Sequence, residues 1–202
     1  GKSTTARLIM GLIQRDAGDV LLDGRNMGTS ADDLRRLRRD VQMVFQDSSA
    51  SLNPRLTVEA SIMFGAVVHG TPRVEARKRA RELLAKVGLE PRLFAGRYPH
   101  ELSGGQRQRV NIARALAVDP RVVIFDEAVS ALDKSVEAQV MNLLVDLKTE
   151  FGLSYVFISH DLNVVRYISD TVLVMYLGKV VEEGPVEVVY DAPAHPYARA
   201  LL

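Results

Sequence analysis

Short apolar runs alternate with helical patterns over much of this chain. Five runs, uncharged as is typical of strands covered on both faces, occupy positions 20–22, 41–45, 122–125, 155–158 and 171–175. Between several of these runs, leucine spacings form one apolar helix face, as at Leu8 and Leu12 and at Leu143, Leu144 and Leu147. The alternation predicts a doubly wound α/β core.

The stretch from residue 57 to residue 117 breaks this alternation, because it contains only helical periodicity. Its clearest apolar stripe comprises Ala76, Ala80, Leu83, Leu84 and Val87. We therefore expect a helical subdomain over residues 47–103, inserted between core segments at 1–46 and 104–202. The serine-rich residues 47–51 predict a flexible loop, and a hinge, where the subdomain begins.

Charge and composition narrow the function classes. Twenty-six basic residues against 25 acidic ones leave a net charge of +1, so no basic field attracts nucleic acid or an anionic membrane. The basic residues of the predicted helix around residues 73–86 could form a binding patch, but a solvated helix face is the favoured interpretation. The sequence has no cysteine, which excludes disulfides and thiolate metal sites. No apolar run reaches the about 18 residues that span a bilayer.

The first four residues match the end of the phosphate-loop motif G-x-x-x-x-G-K-[ST], which opens a helix. In that motif, backbone N–H groups from Gly1 onward cradle phosphates, Lys2 reaches the β- and γ-phosphates, Ser3 binds Mg²⁺ and Thr4 supports the α-phosphate. The alternative without a phosphate-binding role is an ordinary glycine before a Ser/Thr-capped helix. Because the chain starts inside the motif, we interpret it as an N-terminally truncated piece and expect it to be inactive by itself.

Two adjacent carboxylates, Asp126 and Glu127, follow the apolar run at 122–125. Burying two acids without a cation is costly, and a nearby Mg²⁺ would remove the cost. Asp126 would then bind the metal, and Glu127 would polarise a water molecule for attack on the γ-phosphate. An exposed turn is the alternative, and these two residues alone do not decide between them.

The pentapeptide Leu-Ser-Gly-Gly-Gln at residues 102–106 precedes a long helical pattern. Its glycines allow close approach of an anion to a helix N-terminus, where N–H groups and the helix dipole favour negative charge. This is a second candidate phosphate site, about 20 residues before the carboxylate-ended strand. With it, the sequence resembles the ABC ATPase family over essentially its whole length.

The resemblance implies a P-loop NTPase (RecA-like) core with an inserted α-helical subdomain, and ATP and Mg²⁺ as ligands. It implies that Gln46 contacts the metal and the attacking water, that Asp133 belongs to the nucleotide-facing loop at 130–133, and that His160 contacts the γ-phosphate. Catalytic roles thus fall to Glu127, His160 and Gln46, and metal binding to Ser3, Gln46 and Asp126.

The family works as two such domains head to tail, so the residues implied to meet a neighbour's ATP are Ser103, Gly104, Gly105 and Gln106. The implied partners are a second ATPase subunit, a permease and, indirectly, a solute-binding protein, at the cytoplasmic face of the membrane, with no nucleic acid. Segments 44–47, 50–55 and 195–202 are similar to the ATPases of oligopeptide, dipeptide and nickel importers.

Three positions depart from the family's usual pattern, namely Ser48, Ala128 and Lys134. None of them removes a catalytic group. A nucleic-acid- or ribosome-directed ABC ATPase is the alternative function, since such proteins share the catalytic motifs. The balanced charge and the absence of cysteine argue against it. A non-hydrolysing regulatory subunit is a third possibility, which the presence of Glu127 and His160 disfavours.

Overall fold

The computed structural model describes residues 1–48 and 50–202. Ser49, in the loop predicted at 47–51, lies outside the described residues. The elements, in chain order, are α1 (Lys2–Ile9), β1 (Leu21–Leu22), β2 (Arg25–Asn26), α2 (Ala31–Asp40), β3 (Val41–Phe45), α3 (Val58–Val68), α4 (Arg73–Lys86), α5 (Pro91–Phe94), a 3₁₀ turn (Pro99–Glu101), α6 (Gly104–Leu116), β4 (Val122–Asp126), α7 (Lys134–Phe151), β5 (Ser154–Ile158), α8 (Leu162–Ile168), β6 (Thr171–Tyr176), β7 (Lys179–Pro185), α9 (Val186–Asp191) and α10 (Pro196–Leu201).

A parallel sheet of order β3-β4-β5 forms the centre of the molecule. Phe45 pairs with Asp126, and Asp126 pairs with Ile158, so the carboxyl ends of the three strands lie side by side. The uncharged strand runs predict this burial, and β4 is buried over its last four residues. Helix α1 packs on β4 through an apolar cluster that includes Ala6 and Ile124. This edge of the sheet therefore faces the N-terminus of α1.

The first and fifth predicted strands do not join the parallel sheet. Strand β1 pairs with β2, and β6 pairs antiparallel with β7. Both hairpins turn on two residues with positive φ, Asp23 and Gly24 in one and Leu177 and Gly178 in the other, as a type I′ turn requires. An Asp-Gly pair signals such a turn, so the first hairpin could be recognised from sequence.

The helical stretch is confirmed, since α3 to α6 fill residues 58–116 without a strand. The predicted stripe is buried, with exposed fractions of 0–2% from Ala76 to Val87. Its side chains share one apolar cluster with residues of the parallel sheet such as Val44 and Phe125. Helix α6 contacts both α3 and β3. The subdomain and the core are thus packed together, and the proposed boundaries at 46 and 103 stay predictions.

Helix α6 also holds the loop that follows β3. The Asn111 side-chain amide donates to the Ser48 carbonyl at 3.1 Å, and Arg114 donates to the carbonyl of Ser51. Burial lowers the pKa of Arg114, because desolvation disfavours its charge. Side chains of the helix that starts at the pentapeptide therefore fix the chain next to Gln46.

A cleft of about 690 Å³ separates β5 from β6. Its walls include Val156 and Leu173, which are 39% and 57% exposed. The N-terminus of α1 sits at its mouth, where Gly1 lies against Met175 and Gly178. Helix α1 therefore bridges the parallel sheet and the β6–β7 hairpin. Within residues 1–48 and 50–202, no helix combines the length and apolar character that a membrane crossing requires.

Candidate functional site

The N-terminus of α1 meets the carboxyl ends of β4 and β5. The hydroxyl of Ser3 donates to Oδ1 of Asp126 at 2.8 Å, and Nζ of Lys2 donates to the Ser159 carbonyl at 3.0 Å. Each contact joins residues more than a hundred positions apart in the chain. The structure thus brings together two predicted metal ligands and places the predicted phosphate lysine beside them.

Asp126 and Glu127 occupy different environments. Asp126 is the last residue of β4 and is 7% exposed, whereas the side chain of Glu127 is 25% exposed. The backbone of Glu127 has a φ of +50°, a left-handed conformation that costs a non-glycine residue about 1–3 kcal/mol. Its N–H donates to the Ile158 carbonyl at 2.9 Å, so β5 helps to hold this conformation. The strand therefore ends with one carboxylate buried and the next partly exposed.

His160 faces Glu127 from the end of β5. Its Nδ1 lies 3.5 Å from Oε1 of Glu127, and its side chain is 65% exposed. The predicted general base Glu127 and His160 are thus neighbours. The exposed side of His160 leaves it accessible to a ligand.

Gln46 reaches this region through a residue to which the sequence assigned no individual role. Its Nε2 donates to Oγ of Ser130 at 3.2 Å, and Ser130 in turn donates to the Glu127 carbonyl at 2.9 Å. In this arrangement the Gln46 amide binds a hydroxyl that supports Glu127. A serine three residues after a strand-ending carboxylate is a signal too common for the sequence to reveal this contact.

We name the cluster of Lys2, Ser3, Gln46, Asp126, Glu127 and His160 the strand-end site. Residues 103–106 form a second surface, which we name the signature turn. It begins α6 with a capping box, in which the Gln106 N–H donates to Oγ of Ser103 at 3.3 Å. The Ser103 N–H donates to the Gln106 side chain at 2.9 Å. This reciprocal pair fixes the helix start.

The first turn of α7 packs against the signature turn. A Cβ added at Gly105 would lie 2.4 Å from Cγ1 of Val136, whereas one at Gly104 would meet Leu132 only at 4.0 Å. A side chain at Gly105 would therefore displace Val136, whereas one at Gly104 would make only an ordinary van der Waals contact. Asp133 caps α7 by accepting from the Val136 N–H at 2.9 Å.

Two of the remaining phosphate-loop positions lie at the surface. Gly1 is the N-cap of α1 and accepts a hydrogen bond from the Thr5 hydroxyl at 3.0 Å. Thr4 is exposed in the first turn of the same helix. Both stand where a phosphate group at the helix N-terminus would lie.

The donor set at Ser3 and Asp126 fits Mg²⁺. In the part of the chain that the structure describes, no three His, Cys, Asp or Glu side chains cluster as a metal site. Mg²⁺ needs no such cluster, because it commonly takes one or two protein oxygens and completes its shell with water and phosphate oxygens. The Ser3 hydroxyl and the Asp126 carboxylate supply two such oxygens 2.8 Å apart.

Lys134, one of the departures from the family pattern, also touches this region. Its Nζ donates to Oδ2 of Asp161 at 2.8 Å and to Oε1 of Glu137 at 2.9 Å. The hydrogen bond from Lys134 is the main reason that the pKa of Asp161 is lowered, and the same bond raises the pKa of Lys134. The sequence marked Lys134 as unusual but gave no partner for it.

The family pattern described as ABC transporter matches residues 1–130 of the chain. The chain belongs to the ABC transporter family. This match confirms the family that the order of motifs indicated. The parallel sheet with its helices is likewise the ABC ATPase fold. The chain is similar in structure to cbiO1 from Clostridium perfringens, which is described as part of the ABC transporter complex cbiONQ. The two match with a TM-score of 0.86 and 33% identity, and the match covers 95% of this chain and 75% of cbiO1.

Curated relatives in the ABC transporter family include glutathione import ATP-binding proteins named GsiA. That of Pectobacterium atrosepticum is 54% identical over 204 residues, and that of Escherichia coli strain K12 is 52% identical. Each match covers all of this chain but 33% of the relative. The chain therefore spans about one third of the length of these relatives.

Proposed function

We propose that this chain is the ATP-binding and ATP-hydrolysing part of an ABC importer subunit and supplies both halves of a shared ATP site. The observation that carries the proposal is the strand-end site, where Ser3 meets Asp126 at the N-terminus of α1 and His160 faces Glu127. At this site, the residue types that the sequence proposed for ATP hydrolysis lie within contact distance of one another. Buried Asp126 suits a metal, and partly exposed Glu127 suits an attacking water.

Phosphate binding rests on α1. Its first N–H groups have no partner within the helix, and its dipole favours negative charge at that end. Lys2, which donates to the Ser159 carbonyl, would transfer its ammonium to the β- and γ-phosphates, and Thr4 would support the α-phosphate. Ser3 and Asp126 would hold Mg²⁺, which neutralises charge on the β- and γ-oxygens when bound.

Hydrolysis needs a water molecule aimed at the γ-phosphorus. The Glu127 carboxylate accepts a proton from that water while its oxygen attacks, and the bond from the γ-phosphorus to the bridging oxygen breaks with ADP as the leaving group. His160 beside Glu127 would contact the γ-phosphate, and the Gln46 amide, which binds Ser130 in this structure, would help to hold the water and the metal when they are bound. Each of these residues lies one or two positions beyond the carboxyl end of a strand.

The signature turn would serve the ATP of a second subunit. Ser103 and the N–H groups of Gly104 and Gly105 lie at the N-terminus of a 13-residue helix, a favourable place for phosphate oxygens. Gln106 and Asp133 shape this surface through the caps they form. Two domains placed head to tail would each close the other's strand-end site, and hydrolysis would remove the γ-phosphate that joins them.

The importer assignment is supported by the relatives named for glutathione import. Glutathione is a small peptide, and segments 44–47, 50–55 and 195–202 point to the same importer group. We propose a peptide-class cargo, a second ATPase subunit, a membrane permease and a solute-binding protein as partners, and a position at the cytoplasmic face of the membrane. Uptake of labelled peptides, compared with uptake of nickel, in cells with and without the gene would test the cargo.

The alternative of a nucleic-acid-directed ABC ATPase finds no support in the basic helix α4. Arg77 and Arg81 both pair with Glu59, and Arg79 pairs with Asp119 at 3.0 Å. Lys86 pairs with Glu150. Most basic side chains of this face pair with neighbouring acids, which favours the solvated-face interpretation over a phosphate-backbone patch.

The decisive test is Glu127→Gln in the full-length protein. ATP binding should persist while hydrolysis slows by about 10²- to 10⁴-fold, the usual contribution of a general base. Because ATP still joins the two surfaces, an ATP-dependent dimer should accumulate on size-exclusion chromatography. Ser103→Arg in the same background should abolish that dimer. Wild-type hydrolysis by Glu127→Gln would overturn the proposed role of this residue.

A further inference from the structure

Lys134 is the first residue of α7 and lies between the two candidate ATP surfaces. Its ammonium binds Oδ2 of Asp161 at 2.8 Å and Oε1 of Glu137 at 2.9 Å. Its side chain is 76% exposed, whereas those of Asp161 and Glu137 are 27% and 12% exposed. The lysine thus reaches from the surface to two carboxylates that are partly withdrawn from water.

The Asp161 carboxylate uses its two oxygens for two different elements. Oδ1 caps α8 by accepting from the N–H groups of Asn163 at 3.0 Å and Val164 at 3.4 Å. Oδ2 accepts from Lys134. The Asp161 N–H also donates to Oγ of Ser159 at 3.0 Å. Both neighbours of His160 in the sequence are therefore fixed, and one of them is fixed to α7.

The same turn of α7 supports the signature turn. Val136 fills the space that a side chain at Gly105 would need, and Leu132 lies beside Gly104. Lys134 stands between these two residues in the sequence. These contacts form a continuous path from the signature turn through the start of α7 to Asp161, the sequence neighbour of His160, which lies 3.5 Å from Glu127.

We propose that Lys134 is a positioning residue, which ties the start of α7 to the loop of His160 and so sets His160 against Glu127 for hydrolysis. The proposal rests on the ATPase function proposed above. The acidic partners of Lys134 are Asp161 and Glu137, not Glu127. An aliphatic residue at this position cannot bind Asp161, so α7 and the His160 loop would lose this link.

The effect is expected in turnover rather than in nucleotide affinity or folding. Exposed ion pairs contribute little to stability, but a small misplacement of a group at the reaction centre slows the chemical step. In the full-length protein, Lys134→Met should lower kcat for ATP about three- to tenfold, with KM for ATP unchanged and only a small decrease in the thermal unfolding midpoint. Lys134→Arg, which keeps a donor for Asp161, should restore most of kcat.

Lys148→Met is the matched control. Lys148 lies on the same helix and pairs with Asp170 at 2.7 Å, but it touches neither the His160 loop nor Asp161. It should leave kcat unchanged. Asp161→Asn keeps a good helix cap while losing the charge, so it should lower kcat as Lys134→Met does. Combining the two changes should give no further loss, because both remove one interaction.

The outcomes separate this proposal from the proposed function. Equal kcat values for Lys134→Met, Lys148→Met and wild type would overturn the role of Lys134 while Glu127-dependent hydrolysis upheld the ATPase. Additive losses in the Lys134→Met/Asp161→Asn pair would also overturn it, because the residues would act independently. Hydrolysis unaffected by Glu127→Gln would overturn the proposed function, and the role of Lys134 with it.

Discussion

In the strand-end site, Ser3 binds a carboxylate 123 residues away in the chain, whereas Ser103 in the signature turn binds the N–H of Gln106, three residues on. The first surface is assembled by sheet order and by the packing of α1 on β4. The second is a local helix start pressed against α7. The strand-end site should therefore tolerate changes of chemistry without unfolding, while changes in the signature turn should affect stability as well as function.

Lys2→Ala should give the largest effect of these changes. It should reduce ATP hydrolysis without reducing stability. Lys2 is exposed and contacts a carbonyl at the surface, so its loss should leave the thermal unfolding midpoint of the full-length protein unchanged. The loss of a phosphate-binding cation should reduce kcat/KM for ATP by about 10²- to 10³-fold. Steady-state ATPase assays and calorimetric unfolding would measure the two quantities. A large loss of stability would contradict the expected difference between the strand-end site and the signature turn.

Gly105→Ala tests the opposite surface. The new methyl group would meet Val136 at 2.4 Å, so we expect a loss of about 1–3 kcal/mol in the free energy of unfolding, the usual cost of overpacking. Gly104→Ala is the control, because its nearest neighbour is at 4.0 Å and alanine favours a helix. Denaturant unfolding would measure both.

The double variant Gly105→Ala/Val136→Ala should recover part of the lost stability, because it removes the methyl group that clashes. Equal stability of Gly104→Ala and Gly105→Ala would show that Val136 yields freely. The requirement for glycine at 105 would then belong to the nucleotide rather than to packing.

Gln106→Ala should have a smaller effect, because it removes the side chain that accepts from the Ser103 N–H and leaves the rest of α6 in place. We expect a loss of about 0.5–2 kcal/mol, the range for a helix cap. Thermal unfolding of the full-length protein would measure it, with Asp146→Ala on the exposed face of α7 as a control for surface change. No loss of stability would mean that the capping box contributes little.

The smallest effect concerns pH and the Lys134–Asp161 pair. The pKa of Asp161 is lowered, so its contribution to stability is present above the ordinary aspartate range and is lost as the pH falls through the lowered pKa. The pKa of Lys134 is raised, so its contribution is lost as the pH rises through that raised pKa. The difference in unfolding midpoint between wild type and Lys134→Met should be constant near neutral pH and shrink below about pH 4.

The strands of the parallel sheet could be read directly from the sequence. The runs at 41–45, 122–125 and 155–158 match β3, β4 and β5 to within one residue at either end, because short uncharged apolar runs favour strands. Coverage of both faces holds for β4, whereas Ser154 and Val156 of β5 are exposed. The fifth run is a strand too, but the sequence could not show that it pairs antiparallel with β7. Its partner is chosen by the turn at residues 177–178, and that turn lacks the Asn-Gly or Asp-Gly signal.

By itself, the sequence predicted which residues carry chemistry, since the phosphate-loop, carboxylate and pentapeptide motifs are each read within a few neighbouring positions. Tertiary structure decided how these residues are placed relative to one another. The contact of Gln46 with Ser130 spans 84 residues, and that of Lys134 with Asp161 spans 27. The left-handed backbone of Glu127 depends on a carbonyl of β5. Sequence patterns report local periodicity, whereas such contacts depend on which strands lie side by side and how the helices pack on them.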